Sequence, residues 1–250
     1  MKTTIQYKDT GYLIDLSEPL DISIPLRGNA SNVNAWYLDP PRITPHDMGG
    51  KAGLVAEGAA VNFNDIWFNP HVHGTHTECV GHISREVYSV NIQLRRYFHS
   101  AVLITLGPEK FRDDLVISAR QLENALKGVA CEAVVIRTLP NTPEKLSRQY
   151  SHTNPPYLLE EATRYLAGNG FDHLLIDLPS VDKEQDEGAL AAHKAFWNFD
   201  GPLRMHATIT ELVYVPNEIA DGCYFLDLQT APFENDATPS RPVLYKVLQP

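Results

Sequence analysis

Three short apolar runs, at 101–106, 133–136 and 174–178, constrain the fold most. Each is far too short to cross a bilayer and fits a strand buried within a sheet. Helical patterns lie between them. Ser118-Ala119-Arg120-Gln121 reads as a capping box ahead of Leu122, Ala125 and Leu126, with Lys127-Gly128 as the stop. Pro155-Pro156 opens a second apolar pattern, Tyr157, Leu158, Ala162, Tyr165 and Leu166, closed by Gly168 and Gly170. Strands alternating with helices predict an α/β fold, a mixed β-sheet with flanking helices. Upstream, 12–16 reads as a short strand and 28–53 as an ordered loop or cover. The stretch 58–90 reads as extended structure broken at Asn69-Pro70.

The 250 residues suffice for one large domain over the whole chain without disulfide staples. Lys plus Arg number 21 against 31 Asp plus Glu, a formal charge of −10. That balance argues against nucleic acid or an anionic membrane surface as a partner and leaves a small molecule as the expected ligand. Cys79, Cys131 and Cys223 are an odd number without paired-motif spacing, which fits a reducing compartment. The stretch 1–12 is polar and shows no secretory pattern, so a cytoplasmic location is expected.

Four of the ten histidines fall in His71-Val72-His73-Gly74-Thr75-His76-Thr77-Glu78-Cys79-Val80-Gly81-His82. Imidazole is the commonest protein ligand for zinc and related ions, and carboxylates complete such shells. If the segment is extended, His76, Glu78 and His82 share a face with Val72, while His71 and His73 point the other way unless Gly74 carries a bulge. Cys79 then faces away from Glu78, into the core. Two other recurrent patterns fit poorly. The His-x-His-x-Asp-His of metallo-β-lactamase-like hydrolases has Thr75 at its aspartate, and a histidine triad at alternate positions fails at its third interval.

The segment 74–82 resembles the His-x-Gly-Thr-His-x-Asp-x-Pro-x-His signature of the cyclase-like metal-dependent hydrolases, which include bacterial kynurenine formamidase and isatin hydrolase. Further stretches resemble that family in order: Ile14-Asp15-Leu16-Ser17, then Ile176-Asp177-Leu178-Pro179-Ser180-Val181-Asp182, His193, Ile209-Thr210-Glu211-Leu212, and Pro239-Ser240-Arg241-Pro242. Two departures stand at the motif itself. Val72 replaces its first histidine, with His71 and His73 as possible substitute ligands, and Glu78 replaces its aspartate, placing the carboxylate about 1.5 Å further out. The family's proline is Val80.

The resemblance implies a cyclase-like fold of swivelling β/β/α type in a single domain, and a homodimer or larger homo-oligomer. It also implies a divalent ion, zinc or manganese, held by His76, Glu78, His193 and Glu211. The altered motif favours one ion over two. His82 would be the general base, a role suited to imidazole near neutral pH. Asp177 and Asp182 are structural or ligand-supporting candidates. Trp36 and Arg241 are candidates for substrate binding, the latter through a carboxylate. The expected activity is hydrolysis of an amide, formamide or cyclic amide C–N bond. Two alternatives are lactone or ester hydrolysis at the same site, and a non-catalytic binding protein on an altered hydrolase scaffold. No phosphate-cradling glycine loop or Cys-x-x-Cys supports a nucleotide or redox enzyme.

Overall fold

The apolar runs become the parallel strands Phe98–Leu106, Ala133–Thr138 and His173–Ile176, to which Thr208–Glu211 is added. Side chains alternate across a strand, so runs this uniformly apolar must be covered on both faces. Val102, Ile104, Val134, Ile136, Leu174 and Ile176 face outward and pack with Leu122, Leu166 and Phe196 from the helices Ala119–Ala125, Glu160–Gly168 and Ala191–Phe196. Ala101, Leu103, Ala133, Val135 and Leu175 belong to a second cluster, with Tyr224, Leu226 and Leu244 from the long C-terminal strands.

The computed structural model describes residues 1–7 and 10–249. Its main sheet closes into a ring of Ala237–Gln249, Gly222–Thr230, Phe98–Leu106, Ala133–Thr138, His173–Ile176, Thr208–Glu211 and His76–Glu78, the last pairing back onto the first. The parallel strands thus form one wall of a barrel whose remaining pairings are antiparallel. A hairpin of Lys2–Tyr7 and Thr10–Asp15 extends the sheet from the Ala237–Gln249 strand. No helix among the described residues is long and apolar enough to cross a membrane.

Ser118 and Gln121 make both halves of the expected capping box. The second helix begins later than its apolar pattern does. No helix starts at Pro155-Pro156: Tyr157–Leu158, just after it, is a strand that pairs in parallel with Val116 and Ile117. The helix then opens on Glu160 and Glu161, whose charges suit a helix N-terminus. The expectation of extended structure over 58–90 is corrected likewise. Only Asn64–Trp67 and His76–Glu78 are strands there, with turns around Asn69-Pro70 and a 3-10 turn at Val80–His82. The loop 28–53 contains the strand Arg42–Pro45, which pairs with Asn64–Trp67 in a separate hairpin exposed along its whole length.

Candidate metal centre

Closure of the barrel assembles the cluster. Opposite one edge of His76–Glu78, Glu211 pairs with His76 and Ile209 with Glu78. Opposite the other edge, Pro239 pairs with His76 and Ala237 with Glu78. His76 and Glu78, two residues apart on a strand, project to the same side. Cys79 points away and is fully buried in the apolar cluster with Ala101 and Leu103. The strand is pinned by side chains: Thr75 Oγ1 donates to the Leu212 carbonyl and accepts from Ile24 N, and the Thr77 and Thr210 hydroxyls lie 2.8 Å apart. After Cys79 the chain turns tightly beneath residue 88. A methyl on Gly81 would meet the Tyr88 carbonyl at 2.1 Å, so only glycine fits there, and the turn swings His82 back over Glu78.

Glu78 is the hub. Its Oε1 accepts from His193 Nε2 at 3.0 Å, and its Oε2 lies 3.1 Å from His71 Nδ1 and 3.8 Å from His82 Nε2. Glu211 Oε2 lies 3.4 Å from His76 Nε2, and its Oε1 accepts from Val181 N at 2.8 Å and lies 3.8 Å from His193 Nε2. Burial would raise the Glu78 carboxyl, but His82, His193 and His71 outweigh it and hold the pKa well below the usual range. Burial likewise opposes charge on His193, yet Asp182 and Glu78 raise its pKa well above the ordinary value. His71 is pushed up to about 10, because Asp236 and Glu78 together overcome its burial.

His193 is set by Asp182, which answers one of the open questions of the sequence. The Asp182 carboxylate accepts from His193 Nδ1 at 2.6 Å and from the backbone N–H groups of Ala192 and His193, capping the helix Ala191–Phe196. With Nδ1–H committed to a carboxylate, Nε2 is turned toward Glu78, the arrangement typical of a metal-binding histidine. Asp177 has a different task. It accepts from Lys145 Nζ at 2.7 Å and from the amide and hydroxyl of Thr138, joining the ends of two parallel strands.

The alternation expected for 71–76 does not hold, because the chain turns there. His71 therefore comes to the cluster from a turn, while Val72 enters an apolar cluster with Ile24, Val33 and Leu212. His73 is fully buried elsewhere: its Nδ1 accepts from Asn69 N and its Nε2 donates to the Asp39 carbonyl. Both ring nitrogens of His73, a possible substitute ligand by its place in the sequence, are thus used in holding a loop. Trp36 and Arg241 also lie away from the cluster. Trp36 packs beside Tyr150, Pro155 and Pro179. Arg241 pairs with Asp21 at 2.7 Å on the rim of a cavity of about 440 Å³, whose lining includes His73 and Thr75 but none of the clustered side chains. Asp236, outside every sequence motif, accepts from His71 Nε2 at 2.9 Å and from His82 Nδ1 at 3.3 Å. Nothing local marks it; only the pairing of Ala237 with Glu78 brings it there.

Two atoms test whether this cluster suits a cation. His76 Nε2 and Glu78 Oε2 are buried and make no well-formed hydrogen bond, their nearest polar neighbours being Glu211 Oε2 at 3.4 Å and His71 Nδ1 at 3.1 Å. Leaving such groups unpaired is costly, and native interiors avoid it. Ligand atoms of His71, His76 and Glu78 lie within 4.8 Å of one another, as do those of Glu78, His82 and His193. Imidazole and carboxylate donors converging on shared carboxylate oxygens suit a divalent ion of the zinc or manganese kind.

The family model for cyclases, described as "Putative cyclase", matches residues 14–183. The chain belongs to the cyclase family. No curated protein matches it. Among solved structures, the chain is similar to a potential metal-dependent hydrolase with cyclase activity at 18% identity and a TM-score of 0.66, covering 93% of this chain and 99% of the other. It is also similar to an isatin hydrolase bound to the product analogue thioisatinate, at 14% identity and TM-score 0.64, covering 92% of each chain. Isatin hydrolase A from Labrenzia aggregata, bound to benzyl benzoate, gives 14% identity and TM-score 0.65, covering 92% of this chain and 94% of the other. At such identities these likenesses establish the fold, the mixed sheet with few helices that the sequence pattern implied.

Proposed function

We propose that this protein is a divalent-metal-dependent hydrolase that cleaves the C–N bond of an amide, formamide or cyclic amide. The observation that carries this reading is the pair of buried donor atoms without a well-formed hydrogen bond, His76 Nε2 and Glu78 Oε2, within a ring of histidines and carboxylates. His76, Glu78, His193 and Glu211 would hold one ion, zinc or manganese, with His71 within reach of Glu78 as a further ligand. When bound, such an ion polarises a carbonyl and makes water a stronger acid near neutral pH.

The chain's own groups supply the rest. Asp182 keeps His193 turned toward Glu78. His82 is the most exposed of the clustered histidines and the one placed to exchange protons with a substrate. Its Nε2 takes a proton from the attacking water and returns it to the leaving nitrogen as the C–N bond breaks. The test compares matched amide and lactone substrates on protein stripped of metal and then reloaded with zinc or manganese. Hydrolysis of the amide, abolished by stripping and restored by reloading, is expected. Faster cleavage of the lactone would move the assignment to the oxygen leaving group.

We propose further that the protein is a homodimer or larger assembly in the cytoplasm. On the exposed hairpin Ile43 pairs with Ile66, placing two exposed apolar side chains on one face, and the exposed Trp67 lies on the other; exposed apolar side chains of this kind are used at interfaces. All three cysteines are free thiols, in keeping with a reducing compartment. Sedimentation velocity at micromolar concentration should give at least twice the 28.0 kDa chain mass, and a monomer would contradict the assembly.

A further inference from the structure

Asp236 belongs to none of the motifs in the sequence, yet its carboxylate sits between two clustered histidines. Its backbone is fixed first: the Asp236 carbonyl accepts from Cys79 N at 3.0 Å, and Ala237 pairs with Glu78. The side chain is therefore held beside Glu78 by the seam that closes the barrel. One oxygen, Oδ2, meets both His71 Nε2 and His82 Nδ1, and the two imidazole rings lie 4.3 Å apart, centroid to centroid. An ionised carboxylate can only accept hydrogen bonds, so both ring nitrogens must carry protons. This leaves His71 Nδ1 toward Glu78 Oε2 and His82 Nε2 toward the same oxygen.

We propose that Asp236 is a positioning residue that fixes the ring orientation of His71 and His82 together and the tautomer of His82. Through His71 it lets a histidine stand in for the ligand that Val72 cannot provide. Through His82 it keeps the Nε2 lone pair facing the reaction centre. This rests on the metal-dependent reading above, but the tautomer of His82 is measurable without metal.

The test uses the full chain as wild type, Asp236→Ala and Asp236→Asn. Two-bond ¹⁵N–¹H NMR of the metal-free proteins reads the tautomers, and competition with a chelator reads zinc affinity. In the wild type His82 should carry its proton on Nδ1. In Asp236→Ala it should shift toward the Nε2–H form that free imidazole side chains prefer, and zinc affinity should fall about 10–100-fold, the usual effect of removing a residue that orients a ligand. Asp236→Asn keeps the side-chain volume and serves if the alanine variant does not fold; a weaker shift in the same direction is expected. Unchanged His82 tautomer and unchanged zinc affinity would overturn the proposal. Loss of zinc as complete as in His76→Ala, with the His82 tautomer unmoved, would make Asp236 a ligand and overturn it as well. If wild-type protein binds no zinc, the metal reading fails by itself, while the His82 tautomer still decides the role of Asp236.

Discussion

Lys145→Met should destabilise the protein by about 3–5 kcal/mol, the usual effect of removing one member of a buried ion pair. Lys145 and Asp177 are 3% and 0% exposed, so neither charge has water to fall back on. Burial pulls the Lys145 amine down and pushes the Asp177 carboxyl up, and each is offset in part by the other. Lys145 Nζ also donates to the Thr138 carbonyl and hydroxyl. The group thus ties the segment Pro143–Leu146 to the ends of the Ala133–Thr138 and His173–Ile176 strands. Adding Asp177→Asn should recover part of the loss, because it removes the stranded charge and keeps an acceptor for Thr138. Urea unfolding of the single and double variants measures both effects. A single-variant loss below about 1 kcal/mol, the range of surface pairs, would show that the pair does not behave as a buried one.

His82→Ala should leave metal content unchanged and lower turnover by about 10²–10⁴-fold, the range for removing a general acid–base. The reason is its position. His82 Nε2 stands 3.8 Å from Glu78 Oε2, further than His71 or His193, and the ring is 30% exposed while the other motif histidine, His76, is fully buried. Steady-state kinetics on an amide substrate, with elemental analysis of the same sample, separates the roles. Loss of metal in this variant would make His82 a ligand instead.

Much of this architecture was legible in local pattern. The parallel wall followed from short apolar runs, and the helix after Ser118 followed from its capping box, because both are decided by neighbours in sequence. The tandem of His76 and Glu78 was legible for the same reason, since a two-residue spacing on a strand fixes a shared face. The facing of His71, a possible substitute ligand by its place in the sequence, was not legible in the same way. Alternation presumes an extended chain, and 71–75 turns. Its orientation comes from Asp236, 165 residues away. His73 looked equally able to bind metal, but its partners, Asn69 N and the Asp39 carbonyl, are backbone groups that no composition argument could supply. Likewise Pro155-Pro156 resembled a helix start, until pairing of Tyr157–Leu158 with the Asp114–Ile117 strand claimed those residues.

Whether the buried histidine–carboxylate cluster holds a divalent ion is read by elemental mass spectrometry of purified wild-type protein beside His76→Ala, without added metal. About one zinc or manganese ion per chain is expected in the wild type and none in the variant. A second ion in the wild type would enlist His71 with Glu78 and change the count but not the claim. An absence of metal from the wild type, persisting after titration with zinc and manganese, would contradict it and leave a binding protein on a hydrolase scaffold.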